Sequence, residues 1–565
     1  MKDGLCIMGM IFLPLIGGVI GFLLGKKNKQ NRNSWMIFVV VAELLMQGTA
    51  GYFMDGGMEF ELGMQELLGV RLIFRLDEIR LSMCVLTDLV YVIIIWFMKE
   101  SMRREKGSNR FSLFLMGTYG MVLGAFLSGS LWVFSMCLSL AALMLYPMVA
   151  HRKDEQVLKS GAQYLYMVIG GIVVTQIGLL LDYVHTKTPV YIGELFWTDS
   201  MADIQTRMIG ALLVLLGMAV FSGLFPVQFM VTKGSAKSMM EASGILASLV
   251  PRLGAYGILM LTFSMPLQNR IYGKVLLPAG LLTVFWGLVV TLLSTDIRKI
   301  LMGIALASNG FSVLCISCGD LEEAFSDYAL ESSFYMMLSS TLSLVVLYMA
   351  CLEQVRKCNT FEIKGLIASG KDNRLLGAAC LIACASLAGV PGTAGFLAHS
   401  TLFHTVQAGF GWKWLIVFYV VEWGFYITAV SRIFMKLFVS KKEETLHILE
   451  PEKEQQEEGD PVEQVDYAKH PYLLGECLLL FAGVLQIITG ILPGITPHGS
   501  GKTALGYVHL AMQDGMVSYY NMGVWIAFAV AALLGILFYV NLVHGVLLRA
   551  VRNKKNRELK ESRKE

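Results

Sequence analysis

A chain of 565 residues that is 55% hydrophobic, only 16% charged and +0.60 in mean hydropathy is too apolar for a soluble domain. It reads as an all-α polytopic membrane protein. The net charge of +3 says little in such a protein, and nothing in the sequence calls for nucleic acid. Ten cysteines are scattered, most of them in apolar runs. Cys315 and Cys318 have no second pair at metal spacing and read as small core residues, so no metal and no cofactor is expected.

The first apolar run, 5–25, is followed by lysines and not by a small-residue cleavage site, which favours a retained helix. Runs of membrane length then recur near 35–53, 80–98, 111–128, 130–149, 162–183, 207–225, 240–263, 273–294, 300–317, 330–352, 376–408, 413–438, 473–493 and 522–549. These give about fifteen spans, numbered here in that order. Basic residues fill alternate connections: Lys26 and Arg32, then Arg103 and Arg110, Arg152 and Lys159, Lys233 and Lys237, Arg298 and Lys299, Arg356 and Lys371. The intervening connections are short or acidic, as at 54–70 and 318–329. The alternation places the N-terminus outside and the C-terminus in the cytoplasm, and a bacterial or archaeal cytoplasmic membrane is the expected location. The stretch 439–471 is rich in glutamate and too polar to bury a core, so a solvated cytoplasmic loop is expected. The basic tail 550–565 is placed at the cytoplasmic face, where anionic lipid is within reach.

Two spans are interrupted. In 221–234, FSGLFPVQFMVTKG, Pro226 follows Gly223. In 386–400, SLAGVPGTAGFLAHS, Gly389, Pro391, Gly392 and Gly395 break the run and His399 follows. Proline has no N–H and clashes with the preceding turn, so a helix breaks there. In lipid such a break needs protein or a wet cavity over its freed backbone groups. A broken helix beside a titratable group is how ion-transporting proteins build a midplane site. A kink used only for packing, with His399 satisfied by a neighbour, fits the same residues. The breaks lie about 165 residues and five spans apart. An odd number of spans sets the two five-span units in opposite senses, the arrangement of an inverted repeat.

Four stretches, SLAGVPGTAGFLAHS, STDIRKILMGIALASNGF (294–311), SGAQYLYMVIGG (160–171) and GMAVFSGLFPVQF with SLVPRLGAYGIL, together resemble the antiporter-like subunits of respiratory complex I, membrane-bound hydrogenases and Mrp-type Na+/H+ antiporters. RLDEIRLSM (75–83) adds a weaker match. The resemblance covers roughly 70–440 and implies proton or Na+/H+ translocation along a row of charged residues. It also implies other membrane subunits as partners in the bilayer. By position, the span 5 glutamate of that row falls on Ser139 and the span 7 lysine on Phe221. The span 8 lysine falls on Arg252, the span 11 histidine and lysine near Leu338 and Leu342, and the span 12 charge on His399. Ser139 and Phe221 cannot tune each other's charge as a Glu–Lys pair does. Arg252 keeps a fixed positive charge that it does not release. His399 still titrates near neutral pH in its unperturbed state.

Other charges sit at membrane depth. Glu422 in span 13 costs about 3 kcal/mol on insertion scales, so it must face protein or water. It is either part of an ion path or a partner for Arg432 or His399. Glu241 at the mouth of span 8 is a further candidate for the ion path with His399, Arg252 and Glu422, although it, Asp88 in span 3 and Glu43 in span 2 read more readily as structural. His404 lies just beyond His399. The expected division is 1–110 for spans 1–3, 111–263 for the first repeat, 273–438 for the second, and 472–549 for the C-terminal spans. Three functions stay open: a subunit of an energy-converting complex with a partial or rewired ion path, a non-conducting scaffold of the same fold, or a stand-alone secondary transporter. No catalytic site is expected on the chain.

Overall fold

The computed structural model describes residues 2–53, 58–62, 72–102, 105, 107–152, 154–186, 201–265, 270–321, 326–371, 373–410, 432–439 and 473–495. Span 15, the acidic loop, the basic tail and Glu422 lie outside these residues.

Spans 1 to 6 are single helices: α1 (Lys2–Lys27), α2 (Lys29–Phe53), α3 (Glu78–Ser101), α4 (Ser108–Phe126), α5 (Leu131–Val149) and α6 (Glu155–Thr186). Span 7 is split into α7 (Met201–Ser222) and α8 (Phe229–Lys237). Span 8 comprises α9 (Met240–Ser248) and α10 (Val250–Ser264). Spans 9 to 11 are α11 (Ile271–Leu293), α12 (Ile297–Leu321) and α13 (Ser326–Cys358). Span 12 is split into α14 (Arg374–Leu387) and α15 (Ala394–Phe410), and span 14 is α16 (Leu473–Ile495). Among the described residues nine helices are long and apolar enough to cross a membrane, and α7, α14 and α16 carry shorter apolar stretches.

Spans 8, 10 and 11 form the centre. The most apolar window of span 10 is wholly buried, whereas only a third of that of span 6 is. Such a helix needs small residues where it meets its neighbour. Gly303 and Gly310 of α12 face Gly287 and Gly280 of α11 so closely that a Cβ on Gly287 would stand 2.6 Å from the Gly303 carbonyl oxygen. Spans 6 and 7 repeat the device with Gly178 against Gly210 and Gly171 against Gly217.

One element does not follow from the apolar runs. Residues Met58–Leu62 and Leu72–Leu76 pair as an antiparallel ribbon, with Phe60 opposite Phe74. Met58, Phe60 and Leu62 alternate with Glu59 and Glu61, a strand period inside what reads by charge as an acidic loop. The ribbon docks on the turn between spans 4 and 5, where Gly129 donates to the Ile73 carbonyl at 2.7 Å.

Both interrupted spans end in the same backbone motif. In span 7, Leu224 N–H donates to the Ala219 carbonyl at 3.0 Å and Gly223 N–H to Val220 at 3.2 Å, with Gly223 at φ +69. In span 12, Val390 N–H donates to Ala385 at 2.9 Å and Gly389 N–H to Ser386 at 3.1 Å, with Gly389 at φ +68. This is the glycine-terminated Schellman end, which caps some carbonyls and leaves others to outside donors. At span 7 the outside donor is Asn309 of α12, fully buried, whose side-chain amide meets the Ser222 carbonyl at 2.6 Å. Phe225 N–H finds Thr283 Oγ1 of α11 at 2.9 Å. Asn309→Ala is expected to lower stability by about 1–3 kcal/mol, the usual effect of stranding a buried partner. Thermal unfolding of the purified protein in detergent measures this.

Candidate functional site

Span 12 positions His399. The Schellman turn at Gly389 ends α14, and α15 begins after Pro391, Gly392 and Thr393, so His399 lies one turn into the second half-helix. Its ring rests on Gly389, where a Cβ would approach Cδ2 to 2.7 Å. That closeness and the positive φ both demand glycine. The imidazole is 2% exposed and hydrogen-bonds the carbonyl of Leu387, the last residue of α14. A group freed by the break is thus satisfied by the titratable side chain beside it. On the other side Phe311 of α12 meets His399 edge-on, with ring centroids 5.8 Å apart. Ser332 of α13 holds the backbone here, donating to the Ala398 carbonyl at 2.8 Å, and lies 3.1 Å from Cys315 Sγ.

Arg252 sits just past the junction of the two helices of span 8. One continuous helix over 240–263 was expected; the structure has two, meeting at Leu249. The cause is Pro251, whose missing N–H leaves the Ala247 carbonyl without its helical donor. Arg252 replaces that donor, with Nη1 3.0 Å from the Ala247 oxygen. Its remaining N–H groups reach Ser340 Oγ of α13 at 3.0 and 3.2 Å, Ser308 Oγ of α12 at 2.5 Å and the Ala305 carbonyl at 3.3 Å. These hydroxyl and carbonyl dipoles help to solvate the guanidinium inside the protein, and it stays charged. Ser308 and Ser340 were not anticipated. The signal was in the sequence, as hydroxyl runs (SSTLS at 339–343) in spans otherwise apolar.

Arg252 and His399 approach α12 one turn apart, at Ser308 and at Phe311. The side chain that meets the histidine there is an aromatic ring. Ser139 is buried and bonds along its own helix, to the Ser135 carbonyl at 2.5 Å. Phe221 is 1% exposed and packs against the bare backbone of Gly171 in span 6. Leu342 is buried and Leu338 half-buried in α13. The four positions that depart from the family row are therefore filled by helix-satisfied or apolar groups.

Glu241 is 1% exposed and pairs with Arg356 at 3.3 Å. Arg356 also donates to the Phe97 carbonyl at 2.9 Å, which fastens the ends of spans 3, 8 and 11 together. Arg432 donates to the carbonyls of Thr291, Leu292 and Ser294, closing the end of α11. Glu422 lies outside the described residues, and of His404 only the helical backbone is described. Among the described residues no cluster of His, Cys, Asp and Glu has the geometry of a metal site.

Comparison with known proteins agrees with this architecture. The chain is 22% identical to NADH-quinone oxidoreductase subunit M of Escherichia coli K12 over 416 residues, 69% of this chain and 79% of that one. It is 23% identical to a Na(+)/H(+) antiporter subunit of Alkalihalophilus pseudofirmus over 406 residues, 69% and 78% of the two chains. A chain of the Mrp complex from Dietzia sp. DQ12-45-1b superposes with a TM-score of 0.73 at 16% identity, covering 92% of this chain and 99% of that one. Residues 128–425, more than half of the sequence, match the family described as NADH:quinone oxidoreductase/Mrp antiporter, TM, and the chain belongs to that family of antiporter-like membrane subunits.

Proposed function

We propose that this chain is the antiporter-like subunit of a larger energy-converting complex and takes part in proton, or Na+/H+, translocation through a path reduced to its C-terminal half. The observation that carries the reading is His399. It is a buried titratable group at a helix break, bonded to the carbonyl that the break frees. An imidazole can keep one ring nitrogen on that carbonyl while the other gains or loses a proton, so the turn survives a change of charge. Arg252 acts as a fixed positive element that biases the path without releasing a proton. Glu241 serves as a structural anchor through Arg356. The similar proteins are named as subunits or as a component, and partner subunits are taken from that pattern. The N-terminus is placed outside and the basic tail in the cytoplasm, on the alternation of loop charge.

In proteoliposomes with a pH-sensitive dye, His399→Ala should remove most of the proton flux while Ser139→Ala leaves it nearly unchanged. Equal effects would sink the His399 path. A second reading, a non-conducting assembly subunit, is favoured by Phe221 and Phe311 occupying the positions where a wet row would run. It requires wild-type protein in its native complex to show no flux through this chain. Isolation from native membrane in mild detergent, with partners identified by mass spectrometry, separates both from a stand-alone transporter, which would come away alone.

A further inference from the structure

Outside the span 5–7–8–12 row the structure holds a second buried group of ionisable side chains, where α2, α3 and α4 meet. Glu43 of α2 and Asp88 of α3 are both fully buried and lie near the middle of their spans. Gln47, one turn beyond Glu43 and also fully buried, donates to Glu43 Oε1 at 3.4 Å and stands within reach of Asp88. From α4, Tyr119 O–H donates to Asp88 Oδ1 at 2.6 Å. Tyr91 packs beside Tyr119, with the rings tilted and their centroids 4.6 Å apart, and donates to Thr118 Oγ1 at 2.9 Å.

Among the described residues, three oxygens in this group accept nothing: Glu43 Oε2, Asp88 Oδ2 and the side-chain carbonyl of Gln47. The last belongs to a neutral residue, so the shortage of donors is not merely a property of two acids. The nearest basic residue along α3 is Arg80, which bonds Asp77 and faces Tyr256 of α10, and Cys84 lies between it and Asp88. Among the described residues neither carboxylate has a cationic partner. Two carboxylates at membrane depth without a counter-charge cannot both stay ionised, and close acids in such a place share a proton.

We propose that Glu43 and Asp88 form a proton-exchanging site that holds one proton between them, bridged by Gln47 and oriented by Tyr119. The arrangement matches that role. Gln47 has an open carbonyl oxygen for an added hydroxyl proton while its amide steadies the ionised partner, and Tyr119 holds one oxygen of Asp88 and leaves the second open. The step is a simple transfer: a proton arrives on one carboxylate oxygen as an O–H bond forms, and leaves by the reverse. The proposal does not depend on His399.

Infrared difference spectroscopy of the purified full chain in lipid tests it. A protonated carboxyl C=O band is expected at neutral pH. Glu43→Gln and Asp88→Asn should each abolish or displace it, and it should shift when the protein is transferred to D2O. Tyr119→Phe keeps the shape and should move the band to higher frequency, as the Asp88 carbonyl loses a donor. This conservative variant gives a reading even where an acid variant fails to fold. The absence of any band sensitive to these substitutions would overturn the proposal, because both acids would then be ionised. A band that persists unshifted in D2O would overturn it as well, since a proton that never exchanges marks a fixed structural bond.

Discussion

Arg252→Ala should lower the stability of the purified protein by about 2–4 kcal/mol, and Arg252→Lys by clearly less. The substitution removes a long side chain from a site 2% exposed, and large-to-alanine changes in a core cost about 2–5 kcal/mol. It also strands the Ala247 carbonyl, which Pro251 has already deprived of its helical donor, at about 1–3 kcal/mol. The two serines suffer less, because Ser308 and Ser340 each donate back along their own helices. One term opposes the loss: a buried guanidinium carries a desolvation cost that disappears with it. Lysine retains the charge and reaches the Ala247 carbonyl, but cannot span to α12 and α13 with one planar fork. Thermal unfolding in detergent and the yield of assembled complex read the effect. Equal behaviour of the two variants would mean that the crossing of spans 8, 10 and 11 does not depend on the charged fork.

Gly395→Ala should be at least as damaging to the span 12 break. A Cβ on Gly395 would lie 1.7 Å from the Ser386 carbonyl oxygen, a backbone atom that has no rotamer to escape by. The two half-helices would have to separate. Overpacking usually costs about 1–3 kcal/mol, and a clash with backbone belongs at or above the upper end. Separation would also pull His399 from the Leu387 carbonyl, so flux should fall with stability. Gly392→Ala is the control. It has φ +86 but open space around the added methyl, so only the left-handed penalty of roughly 1–2 kcal/mol applies. Similar melting temperatures for the two variants would show that α14 and α15 do not touch as described.

The breaks were legible because proline and glycine act locally. Pro226, Pro391 and the glycines around them announce the interruption from within a dozen residues, and each span breaks there. The burial of Arg252 was legible from its depth in an apolar run. What satisfies each freed group was not, because the partners come from far along the chain. Asn309 serves Ser222 from span 10, and Arg356 reaches Glu241 across a separation of 115 residues. Nor did the run 240–263 reveal its division, although Pro251 was visible. A proline within an apolar run marks a freed carbonyl without saying whether a cap or a gap follows. The ribbon at 58–62 and 72–76 went unread for a different reason. Its acidic residues point to a solvated loop by composition, while the alternation that points to a strand spans only five residues.

The glycine seams bear on how such a chain is assembled. Spans 6 and 7 follow one another in sequence, as do spans 9 and 10, and each pair meets backbone to backbone through glycines on both partners. Each pair therefore contains its own adhesive contact and can close as a helical hairpin soon after entering the bilayer, before distant spans exist. The central spans 8, 10 and 11 are joined instead through side chains, with Arg252 of span 8 bridging to Ser308 of span 10 and Ser340 of span 11. Insertion should thus proceed as two self-sealing hairpins first and the polar crossing last. Enlarging Gly178 or Gly287 would then trap the nascent chain early, whereas loss of Arg252 would act only on the finished bundle.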